Sequence, residues 1–409
     1  MPTHRLIPLL QKQVKELERQ NTAKGDEAVV TRVIPPSDTR GPRFLLEGQG
    51  DRQFIRMNSN SYLGLTLLPE LVEAEEAGAR AFGAGPGAVR FISGTYTPHV
   101  ELERRLARFH GREASMIFSS AYATVLGALM PLITSDTVVI SDALNHNCII
   151  NAMRLSRPAG KVIYPHLDLE ALEAALRDSA GTGKRAVVVT DGIFSMRGVH
   201  APLDEIMTLA RKYDHLYPEN VVVVVDDSHG VGAFGRTGRG TEEYTDAPPC
   251  DVLVGTLGKA FGVNGGYVTG SAALVRFLRE QAPTYIYSNP ITPGEAMAAQ
   301  AAVELVDSPR GVALLERLRK LTRMFEEGLT ELGVEVIPGE HPVVPLMIRD
   351  TGRTRALVRH LFQHGVLVTG LAFPVVPEGD EEIRAQVNAD HTEEDIRQVL
   401  EIIGTFSGD

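Results

Sequence analysis

Tryptophan is absent from this chain of 409 residues, and cysteine nearly so, with only Cys148 and Cys250. Two cysteines far apart build neither a disulfide framework nor a cysteine zinc site. No His-Glu-x-x-His or related ligand spacing occurs, so no metal is expected. No run approaches the roughly 18 apolar residues of a membrane-spanning helix, which argues against a membrane partner. The first residues lack the basic segment and apolar core of a secretory signal, so the expected compartment is cytoplasmic. Positive charge is also short: 41 Lys and Arg against 52 Asp and Glu leave a net charge of −11. That balance argues against a general nucleic-acid binder. Against these absences stand 43% hydrophobic and 23% charged residues, the composition of an ordinary globular protein with room for about two to three domains.

Ile7, Leu10, Val14 and Leu17 recur at helical steps among Lys, Gln and Glu, an amphipathic helix of the kind that more often caps its own core than marks a partner site. Pro35-Pro36-Ser37 and Gly48-Gln49-Gly50 punctuate the stretch after it, so residues 1–57 read as an N-terminal helical arm. Helical patterns cover Pro69 to Phe82 and His99 to His110. Between them Gly83-Ala84-Gly85-Pro86-Gly87 resembles a dinucleotide loop only weakly, because it follows a helix pattern and holds a proline. From Ser115 short apolar runs alternate mostly with helix-length segments: Met116 to Phe118, Val138 to Ser141, Val162 to Tyr164, Ala186 to Thr190, Val221 to Val225 and Val252 to Val254. The pattern predicts an α/β fold whose large domain, residues 58–291, is three layers around a mostly parallel sheet. Residues 292–409 read as a smaller C-terminal α/β domain, with helical periodicity from Pro293 to Leu332 and a last helix capped by Thr392 and Asp395.

Parallel sheets place their chemistry beyond the carboxyl ends of their strands. Here those ends lead into Ser119 to Tyr122, Asp142 to His146, Asp191 to Ser195, Asp226 to His229 and Thr256 to Lys259. Three readings of Lys259, in Gly255-Thr256-Leu257-Gly258-Lys259-Ala260, compete. A phosphate-binding P-loop needs Ser or Thr after the lysine and finds Ala260. A solvated loop lysine is the ordinary fate of such a residue. The third is a Schiff-base lysine for pyridoxal 5'-phosphate (PLP), which requires an acid for the pyridine nitrogen. Asp226, closing a run of five valines, supplies one, although Asp-Asp-Ser also serves turns and helix caps. The start of a helix at Ser120, Ala121 and Tyr122 offers N–H groups to a phosphate. His146 is placed to stack on the ring, or to act as a structural hydrogen-bonder, and Ser195 and His229 are placed near the ring hydroxyl.

In combination, Asn60 to Leu65, Val89 to Thr95, Ser141 to His146, Thr190 to Met196, Asp226 to His229 and Gly255 to Lys259 resemble the α-oxoamine synthases, fold-type I PLP-dependent transferases that condense an amino acid with an acyl-CoA. The resemblance implies Lys259 as the cofactor-linked lysine and catalytic base, Asp226 at the pyridine nitrogen, His146 stacked on the ring, and Ser195 and His229 near its hydroxyl. It implies a phosphate held by Ala121, Tyr122 and Thr256, joined by Ser288 and Asn289 from the second subunit of a homodimer. Asn60 and Arg384 would bind the substrate carboxylate. Arg197, Thr124 and a short loop at Gly262 to Gly266 depart from the family pattern and bear on the acyl donor. Val89 to Ile92 and Phe373 to Pro377 look like the glycine C-acetyltransferase subgroup, also called 2-amino-3-ketobutyrate CoA ligases. The implied reaction joins glycine to acetyl-CoA, with Val89 and Phe91 where aminolevulinate synthases carry polar residues for a distal carboxylate. The alternatives are an 8-amino-7-oxononanoate synthase or longer-chain synthase that decarboxylates its product, a PLP-fold partner subunit without turnover, and a nucleotide-binding protein.

Overall fold

The computed structural model describes residues 3–20, 22–37 and 39–407. Two compact units form, one from Asn60 to Leu318 and one from the residues up to Ser59 together with those from Arg319 onward.

The unit from Asn60 is built on a seven-stranded sheet, and its strands coincide with the apolar runs of the sequence. β4 (Ala114–Phe118), β5 (Thr137–Asp142), β6 (Gly160–Tyr164), β7 (Arg185–Asp191), β8 (Val221–Asp226), β9 (Val252–Thr256) and β10 (Gly266–Gly270) lie in the order β4-β10-β9-β8-β7-β5-β6. β10 runs antiparallel to both neighbours, and the β5–β6, β5–β7, β7–β8 and β8–β9 pairs are parallel. Successive side chains in a strand point to opposite faces, so the valine runs feed two cores at once. Val187, Val189, Val224 and Val254 pack with Val125 and Leu129 of α4 (Ala121–Leu132) and Ile149 of α5 (Asn147–Leu155). On the other face Val188, Val223, Val225 and Leu253 pack with Leu172 of α6 (Leu169–Asp178) and Ile206 of α7 (Leu203–Tyr213). The result is the three-layer large domain. α2 (Pro69–Phe82) and α3 (Thr97–Phe109) precede the sheet, and the short α8 (Thr241–Tyr244), α9 (Ala272–Gln281), the short α10 (Pro283–Ile286) and α11 (Pro293–Val306) complete the unit.

The observed division differs from the three segments expected. α11 stays with the large unit because it packs on α2 through a small-residue contact: a Cβ added to Gly78 would lie 2.7 Å from Gly294 Cα. The change of unit falls inside α12 (Pro309–Glu331). The N-terminal segment is no separate arm. After the antiparallel pair β1 (Val30–Ile34) and β2 (Arg43–Leu46), β3 (Ile55–Arg56) runs parallel to β13 (Val366–Leu367). Buried Arg43 pairs with buried Asp395, the residue whose side chain also closes the capping box at the start of α14 (Glu393–Gly404). Four antiparallel strands, β11 (Glu335–Val336), β12 (Val343–Met347), β15 (Glu382–Gln386) and β14 (Thr369–Leu371), form this unit's sheet in that order, with α13 (Thr351–Gln363) alongside. α1 (Leu6–Arg19) is the helix expected, but it caps no core: Leu6, Leu10 and Val14 are about half exposed and no residue of α1 is buried.

Candidate active site

The site begins with two strands that end together. Asp191 and Asp226 are the last residues of β7 and β8 and stand opposite each other in the register. Buried Asn145 ties the neighbouring loop to them: its amide donates to Ser141 Oγ and the Val189 carbonyl, and its oxygen accepts from the Asp191 N–H at 2.9 Å. The loop therefore delivers His146 to the strand ends as the N-cap of α5.

A small cleft of about 50 Å³ opens here, lined by Ala121, Tyr122, His146, Ser195, Asp226, His229 and Lys259, all of them residues expected from the sequence. Cys148, Asp191, Ile193 and Ser228 complete the lining. Lys259 lies half-buried between β9 and β10, the two arms of an antiparallel hairpin. Asp226 Oδ1 accepts from the Ser228 N–H at 3.1 Å, and Cys148 Sγ lies 3.6 Å from its Oδ2. His146 is partly buried, which pushes its pKa down; the Lys259 ammonium adds to this and Asp226 opposes it. Burial raises the pKa of Asp191 well above the carboxylate range, helped by Asp226 beside it. Asp191 Oδ1 and Ser228 Oγ are buried without a hydrogen-bond partner among the described residues. Beneath them Asp227 accepts from Thr241 N–H and Oγ1 at 2.7 and 2.6 Å, walled by Gly192, Gly230 and Gly240, where any added Cβ would fall within 2.2 Å of its oxygens. Its desolvation pushes the pKa up to about 7.

The residues present fit PLP. Four N–H groups at a helix start lack intrahelical partners, and the first two of α4 belong to Ala121 and Tyr122 at the cleft. Gly266 makes that cradle possible, since a Cβ there would lie 2.6 Å from Ala121 N. Lys259 and Asp226 supply an amine and a carboxylate on the same cleft.

The remaining expected residues lie elsewhere. Ser120 Oγ caps α4 by accepting from Ala123 N at 3.1 Å, and Thr256 Oγ1 accepts from Gly258 N at 3.1 Å and donates to Gly265 O, so both hydroxyls brace backbone. Ser288 is half-buried and Asn289 exposed in the segment after α10, outside the cleft lining. Val89 is half-buried and Phe91 is 67% exposed; between them buried Arg90 forks onto Glu103 at 3.1 and 3.2 Å. Asn60 Oδ1 lies 3.4 Å from the Tyr62 hydroxyl, which is 2.6 Å from His229 Nδ1. Arg384 belongs to the other unit, on β15, beside the Gln386 side chain, whose amide, turned so that its oxygen faces the guanidinium, accepts at 3.1 to 3.3 Å. Sequence reasoning passed over Tyr62, Asp191 and Cys148 as site residues. Only Asp191 had a usable signal, its place at a strand end.

The Aminotransferase class I and II family matches residues 52–403. The 8-amino-7-oxononanoate synthase of Bacillus pumilus (strain SAFR-032) is 41% identical over 355 residues, covering 86% of this chain and 88% of that one. The 2-amino-3-ketobutyrate coenzyme A ligase of Escherichia coli (strain K12) is 39% identical over 350 residues, covering 85% and 86%. Among solved structures, serine palmitoyltransferase from Sphingomonas wittichii superposes with a TM-score of 0.87 at 25% identity, over 98% of this chain and 97% of that one.

Proposed function

Because this chain belongs to the Aminotransferase class I and II family, and within it to the PLP-dependent α-oxoamine synthases, we propose that it joins glycine to a short uncharged acyl-CoA, acetyl-CoA foremost. PLP, when bound, supplies the electron sink that lets an amino acid lose its Cα proton. The other roles belong to the chain. Lys259 would anchor the cofactor and serve as the base for the Cα proton; Asp226 would hold the proton of the pyridine nitrogen; His146 would pack on the ring, with Ser195 and His229 near its hydroxyl. Ala121 and Tyr122 would bind the phosphate through N–H groups, with Thr256 bracing the adjoining loop and Ser288 and Asn289 of a second copy completing the site. Arg384, like Asn60, would be a candidate for the substrate carboxylate, for which an arginine fork is the natural partner. A carbon–carbon bond forms between Cα and the thioester carbonyl, the carbon–sulfur bond breaks, and CoA leaves with a 2-amino-3-oxo acid as product.

The observation that carries the acyl preference is Val89 and Phe91, an apolar pair on a loop whose middle residue Arg90 is clamped by Glu103. Neither side chain offers a hydrogen bond, and a carboxylate that became buried against them when an acyl chain covers exposed Phe91 would cost roughly several kcal/mol, the range of an uncompensated charge. A second reading has its own support: several relatives at 37 to 41% identity are 8-amino-7-oxononanoate synthases, whose product ends in a distal carboxylate. Ratios of kcat/KM for acetyl-, propionyl-, octanoyl-, palmitoyl-, succinyl- and pimeloyl-CoA, each with glycine, alanine and serine, separate the two. Acetyl-CoA with glycine is expected to lead. Succinyl-CoA equal to acetyl-CoA would overturn the pocket argument, and a maximum with pimeloyl-CoA and alanine would establish the second reading.

A further inference from the structure

His146 is held at three points, and two of them come from one residue. Its own N–H donates to Asp191 Oδ2 at 3.0 Å. The backbone N–H of Cys148 points at His146 Nδ1 at 3.3 Å, and Cys148 Sγ lies 2.9 Å from the same nitrogen. A ring nitrogen that accepts a backbone N–H presents its lone pair there and carries no proton, which leaves the proton of the neutral imidazole on Nε2. With Nδ1 an acceptor, the thiol is the donor across the 2.9 Å contact. The thiol keeps its proton, because burial and the neighbouring Asp226 and Asp191 carboxylates raise its pKa. Its other acceptor, Asp226 Oδ2, is farther away at 3.6 Å. Cys148 is 2% exposed in the first turn of α5, so the helix backbone fixes where its sulfur sits.

We infer that Cys148 is a positioning residue that fixes His146 as the neutral Nε2–H tautomer, its N–H and S–H converging on Nδ1. The imidazole thereby stays uncharged beside Lys259 and offers an Nε2–H donor. Serine in place of Cys148 keeps a side-chain donor; alanine removes it and leaves the backbone N–H. The inference rests on the reading of the cleft as the PLP site and is independent of the acyl donor.

The test is the ring itself. Holoprotein labelled with ¹⁵N-histidine, with the His146 signals assigned through His146→Gln, is followed by NMR across the pH range in which histidines titrate. Wild type and Cys148→Ser are expected to show the Nε2–H shift pattern. Cys148→Ala keeps the backbone N–H and removes the S–H, so it is expected to hold the Nε2–H pattern at high pH and to titrate up to about one pH unit higher, since an ordinary hydrogen bond to the neutral form is worth about that much. An Nδ1–H pattern in wild type, or a Cys148→Ala protein that titrates as wild type does, overturns the inference. Wild type and Cys148→Ser decide it on their own if the alanine variant does not fold. Turnover of no acyl-CoA by a protein with the Nε2–H pattern would sink the proposed reaction and leave this inference standing.

Discussion

Tyr62 is fully buried, sits at φ 41°, and spends its hydroxyl on His229 Nδ1 at 2.6 Å, an arrangement that makes it the brace for one wall of the cleft. Tyr62→Phe keeps the ring and removes that hydroxyl. A net hydrogen bond is worth about 1 kcal/mol, so steps that depend on the placement of His229 should slow by roughly fivefold. Steady-state kinetics and cofactor titration check this, and unchanged values in both would remove Tyr62 from the site. Lys259→Ala acts at the chemistry itself. Positioned acid–base catalysis typically contributes about a hundred- to ten-thousand-fold, and this lysine also carries the cofactor linkage, so condensation should fall by at least that range. Residual turnover within a few-fold of wild type would take the base role away from Lys259.

Among the elements, α4 and β10 meet at Gly266, where a Cβ would lie 2.6 Å from Ala121 N and 2.5 Å from Thr124 Oγ1. Gly266→Ala must push the start of α4 away from the hairpin, and overpacking of this kind costs about 1–3 kcal/mol. The loss should appear as PLP affinity weaker by roughly five- to a hundredfold, with the far-ultraviolet dichroism of the sheet and helices retained. Wild-type affinity would show that the phosphate sits elsewhere. The same place shows how far the sequence could be read. β5, β7, β8 and β9 were legible because buried parallel strands must be continuous apolar runs, and β4, although it pairs only with antiparallel β10, carries the same kind of run. β10 was not, because Gly266-Tyr267-Val268-Thr269-Gly270 has glycine at both ends, one of them kept small by α4 and not by any strand rule. The cleft residues at strand ends and helix starts were legible for the same topological reason. Tyr62 and Cys148 were not: each reaches a histidine through a contact that neither periodicity nor spacing encodes. Nor was the tie between the N-terminal segment and the C-terminal unit, which runs through Arg43 and Asp395, two charged residues more than three hundred positions apart.

At the scale of the whole molecule, two buried groups that no strand pattern announces give the fold opposite responses to acid. His110 accepts or donates at the Tyr267 hydroxyl over 2.8 Å, and full burial, aided by Arg112 and Arg239, lowers its pKa from 6.5 to about 3. Between those values the unfolded chain binds a proton that the folded protein refuses. The contribution of His110 is therefore complete above about pH 6.5 and is lost as pH falls toward about 3. Asp227 runs the other way: raised from 3.8 to about 7, it keeps in the folded state a proton that the unfolded chain has released, so its contribution is complete below 3.8 and is lost as pH rises toward about 7. Each slope can reach about 1.4 kcal/mol per pH unit, the value of one proton. Relative to wild type, His110→Gln should be least impaired at the acid end of this window and most impaired near neutrality; Asp227→Asn should show the reverse. Urea unfolding of the three proteins at a series of pH values measures both differences. Parallel stability curves for wild type and His110→Gln would mean that His110 is protonated alike in the folded and unfolded chain, and that burial behind Tyr267 does not keep it neutral.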